Sequence, residues 1–259
     1  MMERPANVPA TIVETDTVQI AREIATVAME YRCSVHLIGR AGTGKSTALW
    51  HVARELGGSY CEVSQATKST KGLFELLLDS IGRRTGKKYL SDIADEVYYY
   101  FQPRETVSEE GWTYTPRLLV VDEVQTLEAS AFRELLRVQE KCEVALVLAG
   151  NAERLAGRAK DANTWEQIES RISIQRPLPG PSRRDCDLIG SAYNVEGKDA
   201  YAALAAFGMR TNLRDLTKLL QFAAGLTGGT GIRLKHLEDA LRLRKPKSDV
   251  LKLLRTVAA

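Results

Sequence analysis

The sequence predicts an α/β fold in which helices flank a parallel sheet, followed by a small all-helical domain. A short apolar run at 35–38 passes through a glycine-rich turn into a helical pattern that reaches about residue 56, the succession expected of a strand, a tight turn and a helix. Two later apolar runs lead to Asp122 and Asn151, and ligands of open parallel sheets gather at such strand ends. Beyond the proline-rich stretch 177–181 the remaining patterns are helical, so this stretch marks a domain boundary.

Length and composition are those of a globular protein. The chain has 259 residues, of which 44% are hydrophobic and 27% are charged, enough for one large and one small domain. No apolar run approaches the roughly 20 residues of a membrane-spanning helix, and residues 1–10 lack the apolar core of a signal peptide. The four cysteines lie far apart and are typical of reduced thiols. We therefore expect a cytoplasmic protein that does not enter a membrane.

These patterns predict five segments: an N-terminal arm (1–14), the α/β domain (15–176), a linker (177–181), the helical domain (182–245) and a basic C-terminal tail (246–259). Residues 102–116 contain two prolines and no clear period, so we expect a loop there. A brief strand is expected at 172–174. In the helical domain, Thr211 or Asn212 is expected to cap the third helix, with Asp215 completing a capping box.

The glycine-rich turn is a complete G-x-x-x-x-G-K-[ST] motif at 39–46. In such a P-loop, backbone N–H groups close around phosphate oxygens at the positive end of a helix. Lys45 would reach the β- and γ-phosphates, and the Ser46 hydroxyl would hold Mg²⁺. The alternative is a turn that binds nothing, which the flanking strand and helix disfavour. The nucleotide contacts predicted from the sequence are Gly39, Gly42, Thr43, Gly44, Lys45, Ser46, Thr47 and Asp122.

The apolar strand that ends at Asp122 and Glu123 has the Walker B pattern. Asp122 would orient the Mg²⁺ shell, and Glu123 would polarise the attacking water as a general base. Many buried strands end in an acid, so the pattern alone is weak. It becomes informative because it follows a complete P-loop by about 75 residues. The alternative is a solvated strand end.

Three further polar residues are candidates for the same site. Asn151 ends an apolar strand and would hydrogen-bond the attacking water, unless Gly-Asn is a simple turn. Arg171 would stabilise charge on the phosphate of a neighbouring subunit as an arginine finger, and a surface ion pair with Glu166 or Glu169 is the alternative. Arg214 lies in the first turn of a helix, where a cation is unfavourable, so contact with nucleotide would explain it; Arg210 competes for this role.

The combination of these motifs resembles the AAA+ ATPases of the initiator and loader branches. Five short stretches of the sequence are similar to motifs of the phage Mu transposition protein B family. They are V-E-T-D-T-V, V-V-D-E-V-Q-T-L, V-L-A-G-N, I-E-S-R-I and N-L-R-D-L. The resemblance covers roughly residues 12–245. It implies a P-loop AAA+ domain with a helical lid, in which Asn151 is sensor 1, Arg171 the arginine finger and Arg214 sensor 2.

The same resemblance implies a function. Such proteins bind ATP with Mg²⁺, assemble head to tail as helical filaments on duplex DNA, select the transposition target and stimulate the transposase, and ATP hydrolysis releases them from DNA. Family members also carry an N-terminal helix-turn-helix-like domain, which we expect this chain to lack because it starts too late to hold one. Any DNA binding by that domain would then be absent or supplied otherwise.

Two basic clusters are candidates for DNA contact. The stretch 68–88 has a net charge of +4, and in related filaments the matching stretch faces the DNA channel. The basic residues of this stretch are Lys68, Lys71, Arg83, Arg84, Lys87 and Lys88. The stretch 233–255 has a net charge of +5 and would contact DNA or a transposase. Solvated helix faces are the alternative for both. No base-reading helix is evident, so binding is expected to depend weakly on DNA sequence.

Other functions share this core. A helicase loader or a secretion-type ATPase would carry the same motifs, and a nucleotide-gated adaptor would hold ATP as a switch. Glu123 and Arg171 argue against the adaptor, because a pure switch needs neither.

Overall fold

The strand that leads into the P-loop lies inside a five-stranded parallel sheet in the computed structural model, which describes residues 11–108, 111–151 and 162–244. The strands are β1 (Ser34–Ile38), β2 (Ser59–Glu62), β5 (Leu118–Asp122), β6 (Ala145–Gly150) and β7 (Ile174–Pro177), in the order β2-β5-β6-β1-β7. β1 therefore lies between β6 and β7, although the chain continues from β1 to the far edge at β2. This reversal of strand order makes the carboxyl end of β1 the place where a ligand is expected.

Helices alternate with these strands along the chain. They are α1 (Asp16–Tyr31), α2 (Lys45–Glu55), α3 (Thr70–Ser80), α4 (Leu90–Phe101), α5 (Ala129–Cys142) and α6 (Ala162–Glu169). β5 and β6 are buried along their whole length, as expected for strands covered on both faces. Phe74, Phe101 and Phe132 are fully buried and belong to the core that packs α3, α4 and α5 on the sheet. Among the described residues, no helix is long and apolar enough to span a bilayer.

The segment 102–116, predicted as a loop, contains a two-stranded antiparallel hairpin, so that prediction was wrong. Its strands are β3 (Arg104–Ser108) and β4 (Gly111–Thr115), with Val107 opposite Trp112. The two prolines flank the hairpin at 103 and 116, where they do not interrupt the hydrogen bonds between the strands. The β-branched and aromatic residues of both strands were the available signal.

β7 also differs from the prediction. It begins at Ile174, where the predicted strand ended, and includes Pro177, which had been assigned to the linker. β7 is an exposed edge strand, and an edge tolerates a proline because one side of the strand needs no hydrogen-bond donor.

The described residues form two compact units. The first consists of Ile20–Gly39 and Lys45–Leu178, and the second of 11–19, Arg40–Gly44 and 179–244. The units separate between Leu178 and Pro179, inside the stretch predicted as a linker. Residues 11–19 and the P-loop turn 40–44 group with the later helices, whereas the sequence patterns divided the chain into continuous segments. Local patterns carry no information about such distant contacts.

The second unit is built on helices α7 (Arg183–Ala192), α8 (Lys198–Arg210), α9 (Leu213–Leu226) and α10 (Leu234–Arg244). Their apolar faces enclose a separate core that includes Leu204, Phe207, Leu216, Leu220 and Leu241. This core explains why the helical pattern after the linker forms a unit of its own.

A buried carboxylate, Asp185, serves two helix N-termini in this unit. It completes a capping box with Ser182 at the start of α7, and its Oδ1 accepts the backbone N–H of Asp16 at 2.6 Å. Arg184 in turn reaches the Asp16 carboxylate at 2.7 Å. Unpaired N–H groups at a helix start need such acceptors, so Asp185 attaches the start of α1 to α7.

The cap of α9 is Asn212, whose side chain accepts the Asp215 N–H at 2.8 Å. The predicted capping box is not formed. The Asp215 carboxylate instead accepts from the Asn212 side-chain amide and pairs with Arg244 at 3.1 Å. One Asp215 oxygen thus accepts from the charged Arg244 guanidinium and the other from the Asn212 amide, and a charged donor gives the stronger hydrogen bond.

Candidate nucleotide-binding site

The P-loop turn has the backbone that phosphate binding requires. Gly42 and Gly44 have φ angles of +84° and +90°. Residues that carry a Cβ rarely adopt this backbone conformation. The Thr43 carbonyl accepts the buried Thr17 hydroxyl at 3.0 Å, and the Thr43 hydroxyl donates to the Arg40 carbonyl at 3.0 Å. These bonds fix the turn from both sides.

Lys45, the first residue of α2, folds back on the loop that precedes it. Its ammonium donates to the Gly39 carbonyl at 2.6 Å, and the residue is only 8% exposed. A carbonyl is a neutral acceptor, whereas phosphate oxygens are charged and accept stronger hydrogen bonds. A bound phosphate would therefore displace this internal contact.

Asp122, at the end of β5, is fully buried and surrounded by donors. Its oxygens accept the Glu123 N–H at 2.8 Å and the Tyr60 hydroxyl at 3.1 Å, and Ser46 also hydrogen-bonds to it. Burial raises the pKa of Asp122, and these hydrogen bonds oppose the rise. Burial and the neighbouring carboxylate likewise raise the pKa of Tyr60, so the phenol remains a donor. Ser46 and Asp122 together offer the hydroxyl and carboxylate oxygens that suit Mg²⁺.

Glu123 follows Asp122 in a left-handed conformation, with φ of +56°. Its carboxylate accepts a hydrogen bond from the Gln125 side-chain amide. The carbonyl oxygen of that amide accepts the backbone N–H of Asn151 at 3.2 Å. The Gly39 N–H donates to the Gly150 carbonyl at 3.2 Å. The ends of β1, β5 and β6 are thereby linked in one network.

The candidate arginines occupy different positions. Arg171 is exposed, and its Nε lies 3.6 Å from Glu140 of α5, a partner other than the two considered from the sequence. Arg214 is exposed in the first turn of α9, and its backbone N–H donates to the Gly42 carbonyl at 3.1 Å. Arg210 is the exposed last residue of α8. Of the two candidates for sensor 2, Arg210 and Arg214, the described contacts therefore link Arg214 to the P-loop turn.

Most bases of the 68–88 cluster are paired with acids. The pairs are Lys68–Glu128 (3.5 Å), Lys71–Glu75 (3.8 Å), Arg83–Glu96 (3.9 Å), Lys87–Glu96 (3.8 Å) and Arg84–Asp79 (3.7 Å). The backbone carbonyl of Lys88 accepts a hydrogen bond from the Lys71 ammonium at 3.4 Å. Glu96 and Glu128 lie outside the stretch, so the surface is less positive than the net charge of the stretch implied. Exposed pairs contribute little energy, and phosphate could replace these carboxylates.

The C-terminal basic cluster is only partly described. Arg233 pairs with Glu196, Arg242 with Glu238 and Asp239, and Arg244 with Asp215. Arg244 is largely buried and also lies over the Phe222 ring, so its role is structural. Lys245, Lys247, Lys252 and Arg255 lie outside the described residues.

Several site residues were missed by reasoning from the sequence. Tyr60 hydrogen-bonds Asp122 because β2 and β5 are neighbours, which no local pattern reveals. Gln125 and Thr17 lie inside the motifs V-V-D-E-V-Q-T-L and V-E-T-D-T-V, so their presence in those motifs could have indicated a role at the site. The contact of Asn212 with Gly42 was hidden by 170 residues of separation.

His36 lies on β1 behind the P-loop, 2% exposed, with its Nε2 buried and unpaired among the described residues. It lines a cavity of about 50 Å³ together with Phe132, Trp165 and Glu169. Burial, with a smaller contribution from Lys45, lowers the pKa of His36 from 6.5 to about 4. The folded state therefore keeps this imidazole neutral at a pH where the unfolded chain protonates it.

We expect this histidine to make the protein less stable in mild acid. Between pH 6.5 and about 4 the unfolded chain binds a proton that the folded protein does not, so stability falls as the pH falls. The loss reaches about 3 kcal/mol across this window, at 1.36 kcal/mol for each pKa unit. The His36→Leu variant should not show this fall in the free energy of unfolding with falling pH, as measured by urea unfolding at pH 7, 6, 5 and 4.5. Parallel slopes of the unfolding free energy against pH for the two proteins would contradict the assignment, and His51→Leu, at a half-buried position of α2 beside Glu55, is the comparison variant.

The fold and the site define a P-loop protein of the ATPase class, in which β1, the strand that leads into the P-loop motif, and β5, the strand that ends at Asp122, belong to one parallel sheet. The sequence profile of the family described as AAA domain matches residues 29–158, half of the chain. The chain belongs to this family.

Curated relatives support the narrower resemblance found in the sequence. The chain is 28% identical over 146 residues to the "ATP-dependent target DNA activator B" of Escherichia phage Mu, covering 54% of this chain and 47% of that protein. It is 24% identical over 195 residues to the "Mu-like prophage FluMu DNA transposition protein B" of Haemophilus influenzae, covering 73% and 63%. The predicted similarity to the Mu transposition protein B family is confirmed. The matches span about half to two thirds of those proteins.

Solved structures support the fold. The ORC2 protein of Aeropyrum pernix, in ADPNP–ADP complexes, has a TM-score of 0.62 at 15% identity, covering 95% of this chain and 72% of that one. A RuvB variant of Thermotoga maritima has a TM-score of 0.58 at 15% identity, covering 93% and 73%. The predicted α/β P-loop fold with a helical C-terminal region is confirmed.

Proposed function

We propose that this protein is an ATP-dependent DNA-binding ATPase that acts in transposition. It forms helical filaments on duplex DNA by head-to-tail association, selects the target and activates a transposase, and ATP hydrolysis releases it from DNA. The observation that carries the proposal is the P-loop with its lysine, joined in one sheet to the Asp122–Glu123 strand end, in a chain similar to proteins named target DNA activator B. The geometry supports the ATPase, and the names of the relatives support the DNA and transposition part.

In this proposal the P-loop binds the phosphates of ATP. The turn from Gly39 through Gly44 supplies backbone N–H groups, and the Lys45 ammonium exchanges the Gly39 carbonyl for phosphate oxygens. Ser46 and Asp122 would hold Mg²⁺, which neutralises phosphate charge when bound. Thr47, the third residue of α2, adds a hydroxyl at the helix start.

Hydrolysis would depend on the residues at the strand ends. Glu123 accepts a proton from the attacking water, and the Asn151 side chain orients that water. Arg171 reaches the site of an adjacent protomer and stabilises the transition-state charge, leaving Glu140 when it does so. Arg214 senses the nucleotide from α9, next to the Gly42 carbonyl. Head-to-tail assembly is what brings Arg171 to a neighbour, so assembly and hydrolysis are coupled.

Duplex DNA would be bound through phosphate contacts. Lys68 and Lys71 lie before and within the first turn of α3, and their present partners are exposed carboxylates. Phosphates that replace those carboxylates give contacts that do not depend on the bases. Arg83, Arg84, Lys87 and Lys88 extend the same surface.

Changing Lys68 and Lys71 together to alanine is expected to weaken duplex binding on every sequence. The loss of about two phosphate contacts should lower the slope of log K against log salt by about 2, with ATP binding unchanged. Fluorescence anisotropy of a labelled duplex, titrated from 50 to 200 mM salt, measures both quantities. The double variant Lys198→Ala/Lys218→Ala removes the same charge from exposed positions of α8 and α9 and should leave the slope as it is. An unchanged salt slope in the Lys68/Lys71 variant would reject this surface.

Electron microscopy with ATP and duplex DNA tests the proposed function as a whole. A continuous helix with DNA in its centre supports it. A closed ring would favour a helicase loader or a secretion-type ATPase with the same core, and a monomer that binds ATP without hydrolysis would favour a nucleotide-gated adaptor.

A further inference from the structure

Gln125 is a buried amide that none of the sequence motifs explained. It lies in the 3₁₀ turn Val124–Thr126 directly after β5 and is only 4% exposed. Both ends of its amide are used: the nitrogen donates to the Glu123 carboxylate, and the oxygen accepts the Asn151 N–H at 3.2 Å. Burying an amide is favourable only when both ends are satisfied, and here both partners are candidate residues of the hydrolytic site.

The chemistry of the two partners fixes the orientation of this amide. The Asn151 N–H is a donor and needs an acceptor, so it must face the amide oxygen. The Glu123 carboxylate is an acceptor and needs a donor, so it must face the amide nitrogen. A flipped amide would place donor against donor and acceptor against acceptor. Gln125 therefore holds the Glu123 carboxylate at a position set by the end of β6.

Gly150 provides the space that this arrangement requires. A Cβ at residue 150 would lie 2.4 Å from the Gln125 side-chain oxygen and 3.2 Å from Val124 Cγ2. The φ angle of Gly150 is not in the positive range, so its backbone conformation would accept alanine. An alanine at this position would displace the Gln125 amide, because the end of that side chain occupies the place of a Cβ.

We propose that Gln125 is a positioning residue for ATP hydrolysis. It holds the general base Glu123 in one rotamer through a single carboxylate oxygen and couples that rotamer to the strand end that carries Asn151. No described residue hydrogen-bonds the other carboxylate oxygen, so it can accept the proton of the attacking water. This inference rests on the proposed ATPase function and assigns to it a residue that acts through Glu123.

The first test is Gln125→Met, which keeps the volume and removes both hydrogen bonds. We expect kcat to fall about ten- to hundredfold, because a small displacement of a catalytic group costs this much. The Kd for ATP should stay within about twofold, because Gln125 makes no contact with the P-loop lysine or turn among the described contacts. Single-turnover hydrolysis and calorimetric titration of ATP measure the two quantities. A parallel loss of ATP affinity would mean a structural role and would overturn the inference.

The second test is Gly150→Ala, which displaces the Gln125 amide without changing any candidate catalytic side chain. It should lower kcat and spare the Kd in the same way as Gln125→Met. Urea unfolding of both variants checks the fold, and because the two act from different strands, one of them remains informative if the other unfolds. Normal hydrolysis by a folded Gly150→Ala protein would overturn the inference.

The third test asks whether Gln125 acts through Glu123. In a Glu123→Gln background, adding Gln125→Met should cause little further loss, because residues that act as a unit are not additive. A further tenfold loss would overturn the inference. If Glu123→Gln itself hydrolyses ATP at the parental rate, the proposed catalytic base fails. If Glu123→Gln is inactive and Gln125→Met is not impaired, the proposed function stands and only the inference falls.

Discussion

Replacing Lys45 with alanine is expected to weaken ATP binding by about 100-fold, which is about 3 kcal/mol at 1.4 kcal/mol for each factor of ten. The reason is the loss of charge-assisted hydrogen bonds to the phosphates, made by an ammonium that is almost completely buried. Without nucleotide the filament on duplex DNA should also fail to form. Calorimetric titration with ATP and Mg²⁺ measures the affinity, and electron microscopy with duplex DNA shows the assembly.

The Lys68→Ala/Lys71→Ala protein is the natural control for this experiment. It also loses lysines but should keep its ATP affinity while binding DNA poorly, whereas Lys45→Ala should lose both. Parental ATP affinity in the Lys45→Ala protein would show that the phosphates bind elsewhere, and the proposed function would have to be abandoned.

The Glu123→Gln variant is expected to bind ATP normally and to hydrolyse it about 10²- to 10⁴-fold more slowly, the usual contribution of a positioned general base. The amide has nearly the shape of the carboxylate but cannot accept a proton from water. The protein should then stay on DNA longer, because release depends on hydrolysis. Phosphate release and the dissociation of a labelled duplex after excess competitor DNA measure these two rates.

Glu134→Gln, at a half-buried position of α5 where the carboxylate pairs with Arg137, removes a carboxylate of the same kind outside the candidate site, and it should behave like the parent. If Glu123→Gln hydrolysed ATP at the parental rate, Glu123 would not be the base. If its hydrolysis stopped while its residence on DNA stayed short, release would not be driven by hydrolysis.

The sequence allowed the fold to be predicted because its signals are local. The P-loop at 39–46 contains its own strand, turn and helix, and β5 and β6 are short apolar runs that end in polar residues. The hairpin at 104–115 was missed because two prolines were given more weight than the alternating residues between them. The predicted positions of Asp122, Glu123 and Asn151 at strand ends agree with the rule for parallel sheets, and the position of Lys45 at the start of a helix followed from the P-loop motif.

The partners of these residues could not be predicted, because they depend on which strands are neighbours. Tyr60 reaches Asp122 only because β2 lies beside β5, and Gln125 reaches Asn151 only because β5 lies beside β6. The charge of the 68–88 surface was overestimated for the same reason, since Glu96 and Glu128 come from other segments. Sequence spacing places a side chain on a strand end, and the tertiary structure decides what it touches.

The double role of Asp185 has a consequence for how the protein is made. The start of α1 is synthesised first, and the carboxylate that binds the Asp16 N–H follows 169 residues later. At about 5–20 residues per second, the N-terminal turn of α1 remains exposed to water for roughly 10–30 s after its synthesis. The helical unit, which combines residues 11–19 and 40–44 with 179–244, therefore cannot complete its folding until the residues from 179 onward have been made.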